Sequence, residues 1–258
     1  MPVDNKPLQP AVRDPKALRR TAITLVVIML LGGVMVHIAY RKWSKNHQQD
    51  NEPARISRIV PGRELDVLRQ DGTRGRVPDG NGKVWVVVAV SSAAPETSAI
   101  STGVMKRLAE HYAANDDVVF VSLVIDPGAP EQLENLLKAE SDKLGAKLPK
   151  WTVASTEPQT LHKFIKNEFK PSLYPHEENG KWVYDTSIIL IDRNRHIRNA
   201  VIPQKRGGEP YVARFDFDQA AEWDSKGVKT GTDRTNVQEL ESVLQNTIEQ
   251  LRAEPLKD

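Results

Sequence analysis

Ser91, Ser92 and Ser98 fall within eight residues, directly behind a run of valines. Serine in such a place is either a nucleophile or a helix cap. A nucleophile needs a sharp turn that presents it and a base that takes its proton. No Gly-x-Ser-x-Gly elbow is present and no histidine neighbours these serines in sequence, so they read as caps, with pairing to a distant histidine left open. The histidines are His37, His47, His111, His162, His176 and His196. None forms a close i, i+4 pair, and there is no His-Glu-x-x-His. His162 with Glu168, or His176 with Glu177 and Glu178, would hold a metal only if the fold supplied further donors; each reads as a surface histidine. Asp216, Asp218, Glu222 and Asp224 resemble a cation cluster but lack EF-hand spacing. Acids favour helix N-termini, so a solvated helix start explains them. Gly72, Gly75, Gly80 and Gly82 precede Lys83, yet Val77 and Val84 stand where a phosphate loop requires glycine and serine or threonine. This segment reads as a hairpin turn, and residues 205–208 (Lys-Arg-Gly-Gly) as an exposed turn.

The 258 residues contain no cysteine. That excludes disulfides, cysteine zinc sites, iron–sulfur clusters and cysteine nucleophiles together. A formal net charge of +2 is too balanced for the dense basic face of a nucleic-acid binder. Aromatics make up 6% and are scattered, so no stacking platform forms. No catalytic set emerges, no cofactor is called for, and no nucleic acid is expected as a partner.

Residues 21–40 (TAITLVVIMLLGGVMVHIAY) are uncharged. At 1.5 Å per residue they span about 30 Å, the thickness of a hydrocarbon core. Arg19 and Arg20 end the run on one side, and Arg41, Lys42 and Lys45 on the other, with Tyr40 and Trp43 where interfacial aromatics belong. A cleavable signal peptide is the competing reading, but the run is long and His37, Ile38 and Ala39 make a poor cleavage site. A retained single-span anchor is expected. Five cations precede the span and five follow it within short reach (Lys6, Arg13, Lys16, Arg19, Arg20 against Arg41, Lys42, Lys45, Arg55, Arg58), so charge does not set the orientation. Gly32 and Gly33 lack the spacing of a dimer motif, and His37 reads as an end-of-helix residue.

These segments need a scaffold. Residues 41–57 are polar and read as a linker, giving a tail at 1–20, a span at 21–40 and a domain at 58–258. Leu65–Arg69 followed by Asp71 and Gly72 reads as the start of a hairpin. Val84–Val90 (VWVVVAV) and 118–125 (VVFVSLVI) are continuous apolar runs, as expected of central strands covered on both faces. Helices are expected at 96–114, 129–144, 158–169 and 237–252, the last capped by Thr235 with Gln238 or Asn236 with Glu239. A short strand is expected at 151–154, and strands 186–191 and His196–Ile202 form a hairpin around residues 192–195. The order βαβα, then a hairpin, then a helix predicts an α/β thioredoxin-like fold, a central mixed sheet flanked by helices behind an N-terminal transmembrane helix.

In order and spacing, Asp71-Gly72 with Gly82-Lys83-Val84, Val84–Val90, residues 120–127 (FVSLVIDP), residues 151–154 and residues 189–192 (ILID) resemble the Sco/SenC family. These are membrane-tethered thioredoxin-fold proteins linked to copper delivery and cytochrome oxidase assembly. The likeness covers roughly 65–198 together with the anchor. The family carries a Cys-x-x-x-Cys loop after its central strand, with proline following the first cysteine, and a histidine before the hairpin strand. Here the loop reads Ala94, Pro95, Glu96, Thr97, Ser98, and Tyr184 with Asp185 stands at the histidine position. The resemblance therefore implies ligand positions filled by Ala94, Ser98 and Tyr184, with no metal site. Cu(I) needs soft thiolates, and disulfide exchange needs two sulfurs.

The expected function is a non-catalytic, membrane-tethered Sco-like binding or accessory factor in respiratory oxidase assembly. Its partner would be a membrane or periplasmic protein such as an oxidase subunit or assembly factor, docked at residues 94–98. By resemblance, the anchor lies in the inner membrane with the domain periplasmic. The alternative is a copper-handling or redox accessory protein using a non-cysteine site of histidine and methionine, for which Met105 is the one methionine past the span. An enzyme of unrecognised chemistry is the third reading.

Overall fold

A computed structural model describes residues 15–49, 52–80, 82–202 and 210–256, with the side chains of 40–49 excluded. The first fourteen residues, the flanking side chains Tyr40, Arg41, Lys42, Trp43 and Lys45, and the turn at 205–208 therefore lie outside the described residues. The chain divides into two units, 1–50 and 51–258.

The first unit is one helix, α1 (Pro15–Gln49). Pro15 opens it, where its missing N–H is no loss. Residues 15–39 carry a window apolar enough to cross a membrane, and none of it is buried within the protein. The helix outruns the expected span because Lys, Asn, His and Gln after residue 40 change polarity but contain no helix breaker before Pro53.

The second unit is built on a nine-stranded mixed sheet. Strands β1 (Ala54–Arg58), β2 (Leu65–Arg69), β3 (Arg74–Val77), β4 (Val84–Val90), β5 (Val118–Val124), β6 (Trp151–Ser155), β9 (Ile189–Ile191) and β10 (His196–Ile202) lie in the order β1-β10-β9-β4-β5-β6-β2-β3. A short β11 (Tyr211–Ala213) pairs with β10. β4, β5 and β6 are parallel, and β9 runs antiparallel to β4. A separate hairpin joins β7 (His176–Glu178) to β8 (Lys181–Val183).

The valine runs work as their composition predicts. Val84, Val86, Val88 and Val90 of β4, with Val118, Phe120 and Val124 of β5, face one core. That core is closed by α2 (Ala99–His111), α3 (Leu133–Leu144) and α6 (Asn236–Ala253), with Phe217 of α5 (Phe217–Ser225) among its buried residues. Trp85 and Val87, with Val119, Val121 and Leu123, face a second core under α4 (Pro158–Phe164) and the π turn Ile165–Phe169. Period-2 alternation thus distributes one apolar run between two layers. This is a thioredoxin-like arrangement, a central mixed sheet flanked by helices.

Some boundaries differ from those expected. The segment 41–57 is not a free linker: α1 runs to Gln49, and β1 joins the sheet through Ala54↔Asn199 and Arg58↔His196. Its signal was hidden because β1 is an exposed edge strand with a register shift between Arg55 and Ser57. The folded unit accordingly begins before residue 58. The helix expected from 96 starts as a 3-10 turn, Pro95–Ser98, and the helix over 158–169 widens into the π turn after Phe164. Strand 186–191 shortens to Ile189–Ile191, because Thr186 bonds the Asp218 carboxylate and the Ser187 amide bonds Asp185. Of the two proposed caps for α6, Thr235 with Gln238 forms the reciprocal capping box.

Candidate functional site

The parallel strands β4 and β5 end side by side, the edge at which open α/β sheets place their sites. Chain leaving β4 forms the loop 91–98, and chain leaving β5 delivers Asp126. The Asp126 carboxylate accepts hydrogen bonds from Ser91 Oγ at 2.7 Å, the Ser92 amide at 2.8 Å and the Ala93 amide at 2.8 Å. Ser91 Oγ then accepts from the Ala94 amide at 3.0 Å. One carboxylate thereby sets the course of the loop up to Ala94.

Tyr184 follows β8 and enters the same cluster. Its phenol oxygen accepts from the Ser91 amide at 3.1 Å. Burial holds the phenol above its ordinary pKa, against the opposing pull of the Ser98 hydroxyl and the Ser91 amide. Tyr184 is 4% exposed, Ser98 2% and Ser91 1%. Tyr184, distant in sequence, is thus brought to the loop that carries Ala94 and Ser98, where Ser91 links it to the Asp126 carboxylate. Asp185 faces elsewhere. Burial alone would raise its carboxyl, but bonds from Ser187 and Ser172, with the Arg214 charge, hold it below the ordinary aspartate range.

Around this plug the surface is apolar in places. Pro95 is exposed and Ala94 lies nearly buried beneath it. Ile100, in the first turn of α2, is 37% exposed. His162 meets the edge of Trp182 at 5.2 Å, and its Nε2 lies 2.7 Å from the carbonyl of Ile125, beside Asp126.

The remaining candidates resolve into structural roles. Glu168 pairs with Arg63 at 3.7 Å, and no bond joins it to His162 among the described residues. His176 bonds its own turn at the Tyr174 carbonyl. Asp216 caps α5 by accepting from the Gln219 amide, and Asp224 accepts from Asn236 and Val237 at the start of α6. Asp71 accepts from Thr73 within the β2–β3 turn. Met105 is fully buried in the first core, so its sulfur is withheld from any surface site. Among the described residues no three His, Asp or Glu side chains gather as a metal site. The ordering role of Asp126 and Ser91 was missed in sequence, where Asp126-Pro127 reads only as the end of a strand.

Solved Sco structures are similar to this chain. A SCO1/SenC family lipoprotein from Bacillus anthracis str. Ames shares 20% identity over 76% of this chain and 97% of its own, with a TM-score of 0.46. BsSco, described as a member of the Sco family of cytochrome c oxidase assembly proteins, shares 15% over 77% and 97%, at 0.47. ScoI of Arabidopsis thaliana, solved with copper bound, shares 13% over 73% and 96%, at 0.44. No protein-family profile and no curated protein matches the chain.

Proposed function

We propose that this chain is a membrane-tethered, Sco/SenC-like binding module, non-catalytic and without redox or thiolate copper chemistry, that serves as an accessory factor in respiratory oxidase assembly. The reading rests on the sequence likeness of the strand and loop motifs. The observation that carries it is the closed cluster at the loop. Where sulfur and imidazole would be needed, Ala94 offers a methyl group, and Ser98 and Tyr184 offer buried hard oxygens, that of Tyr184 already accepting from the Ser91 amide. Such donors suit neither Cu(I) nor thiol exchange. What remains available is surface: Pro95, Glu96 and Thr97 stand on a 3-10 turn whose base is fixed by Asp126. A rigid, partly apolar platform is what a protein partner needs. We place α1 in the inner membrane with the domain on the periplasmic side, by the same resemblance.

Affinity purification of the tagged full chain from membranes tests this reading. Co-purification of terminal oxidase subunits, reduced by Pro95→Glu without loss of the folded protein, is the expected outcome. Equal recovery of those subunits with an unrelated single-span bait would refute it.

A further inference from the structure

The two ends of the folded unit meet on one side chain. Arg198, in β10, is fully buried. Its guanidinium donates to both carboxylate oxygens of Glu254 at 2.6 and 2.8 Å, and to Asp192 at 2.7 Å. The carbonyl of Pro53 accepts from its Nε at 3.0 Å and from its Nη2 at 2.6 Å. All five N–H donors of the guanidinium are thus engaged. Glu52, 55% exposed and paired with Arg55, is more distant at 3.5 Å. Glu254 follows α6, whereas Pro53 immediately precedes β1, the first strand after α1 in the chain. The segment after α6 also lies against the β9–β10 turn, where Arg193 donates to the carbonyls of Arg252 and Glu254, and Asn194 to that of Pro255. β1 is held by less. It is a five-residue edge strand, interrupted by its register shift and exposed along most of its length.

A buried guanidinium is tolerated only while its charge and its donors are matched. Asp192 is fixed beside Arg198 by its own turn, since it accepts from the amides of Asn194 and His196. Glu254 is different, because it stands on extended backbone past the end of α6. With Glu254 withdrawn, two N–H groups of Arg198 lose their acceptors and water must reach them. The weakest cover is β1, whose preceding carbonyl at Pro53 shares Nη2 with Glu254. We propose that residues 254–256 form a strap that locks β1 onto β10 through Arg198, so that displacing Glu254 frees β1 and bares the edge of β10. The coupling is reciprocal, and loosening β1 loosens the strap.

Amide hydrogen exchange of the full chain in detergent, read by mass spectrometry, tests the proposal. Glu254→Gln removes the charge of the strap and keeps its shape. Ser57→Ala loosens β1 from the other side, by removing the bond from Ser57 Oγ to the Glu168 carbonyl. Arg107→Gln, which breaks the ion pair between α2 and Glu241 of α6, is the control. E254Q should speed exchange over 54–58 about tenfold while β4 and β5 keep their protection, the mark of a local opening. S57A should speed exchange over 252–256, and R107Q should alter neither segment. Unchanged exchange of β1 in E254Q, equal acceleration of β4 and β5, an unmoved strap in S57A, or the same release of β1 by R107Q would each overturn it.

Discussion

At the scale of single residues, Asp126 and Tyr184 carry most of what is distinctive. Asp126 receives three hydrogen bonds from consecutive residues of the loop. Asp126→Ala would strand two backbone amides and a buried serine. It should lower stability by about 2–3 kcal/mol, read in urea unfolding with the helical content of the folded state retained. Tyr184 makes a different prediction. Its folded pKa is raised by burial, so its contribution is fully present below the unfolded value near 10 and is lost as pH rises through the folded value. Unfolding midpoints followed above pH 10 should fall for the wild-type chain and fall less steeply for Tyr184→Phe. Identical slopes would mean that the phenol is not held neutral by the fold. Counting back from the ILID strand singles out Tyr184, and the fold brings its phenol to the Ser91 amide. The role of Asp126 was not, because a carboxylate after a buried strand looks like any strand terminator until the neighbouring loop is in place.

Among the elements, long and strongly patterned segments were legible and short ones were not. The continuous apolar runs Val84–Val90 and 118–125 pointed to central strands covered on both faces, and both became such strands, β4 and β5. The α6 cap was narrowed to two registers, since Thr235/Gln238 and Asn236/Glu239 are chemically equivalent one residue apart; Asp224 breaks the tie by occupying the Asn236 side chain. Thr235→Ala should accordingly cost about 1 kcal/mol in thermal unfolding, and Asn236→Ala should leave the capping box itself intact. The β7–β8 hairpin escaped because its three-residue strands carry no alternation. Its Asn179-Gly180 turn, both residues at positive φ, was the available signal. β1 escaped for a related reason, being exposed along most of its length. The apolar helix α1 belongs to this scale too. Leu30→Arg, at the middle of the apolar run, should weaken insertion by about 3 kcal/mol. Retention of that variant in the membrane fraction after alkaline extraction, equal to wild type, would argue against a spanning role for α1.

As a whole, the molecule is an apolar helix followed in the chain by a thioredoxin-like unit whose loop is held by oxygen donors and acceptors. Without cysteine no thiolate is available to bind Cu(I) or exchange, and at the loop Ser91 bridges the Tyr184 phenol and the Asp126 carboxylate. Cu(I) titration of the purified full chain, in competition with a chromogenic Cu(I) chelator, tests that claim most directly. The chelator should keep its copper at every protein concentration. Stoichiometric transfer of Cu(I) to the protein with sub-micromolar affinity would contradict it.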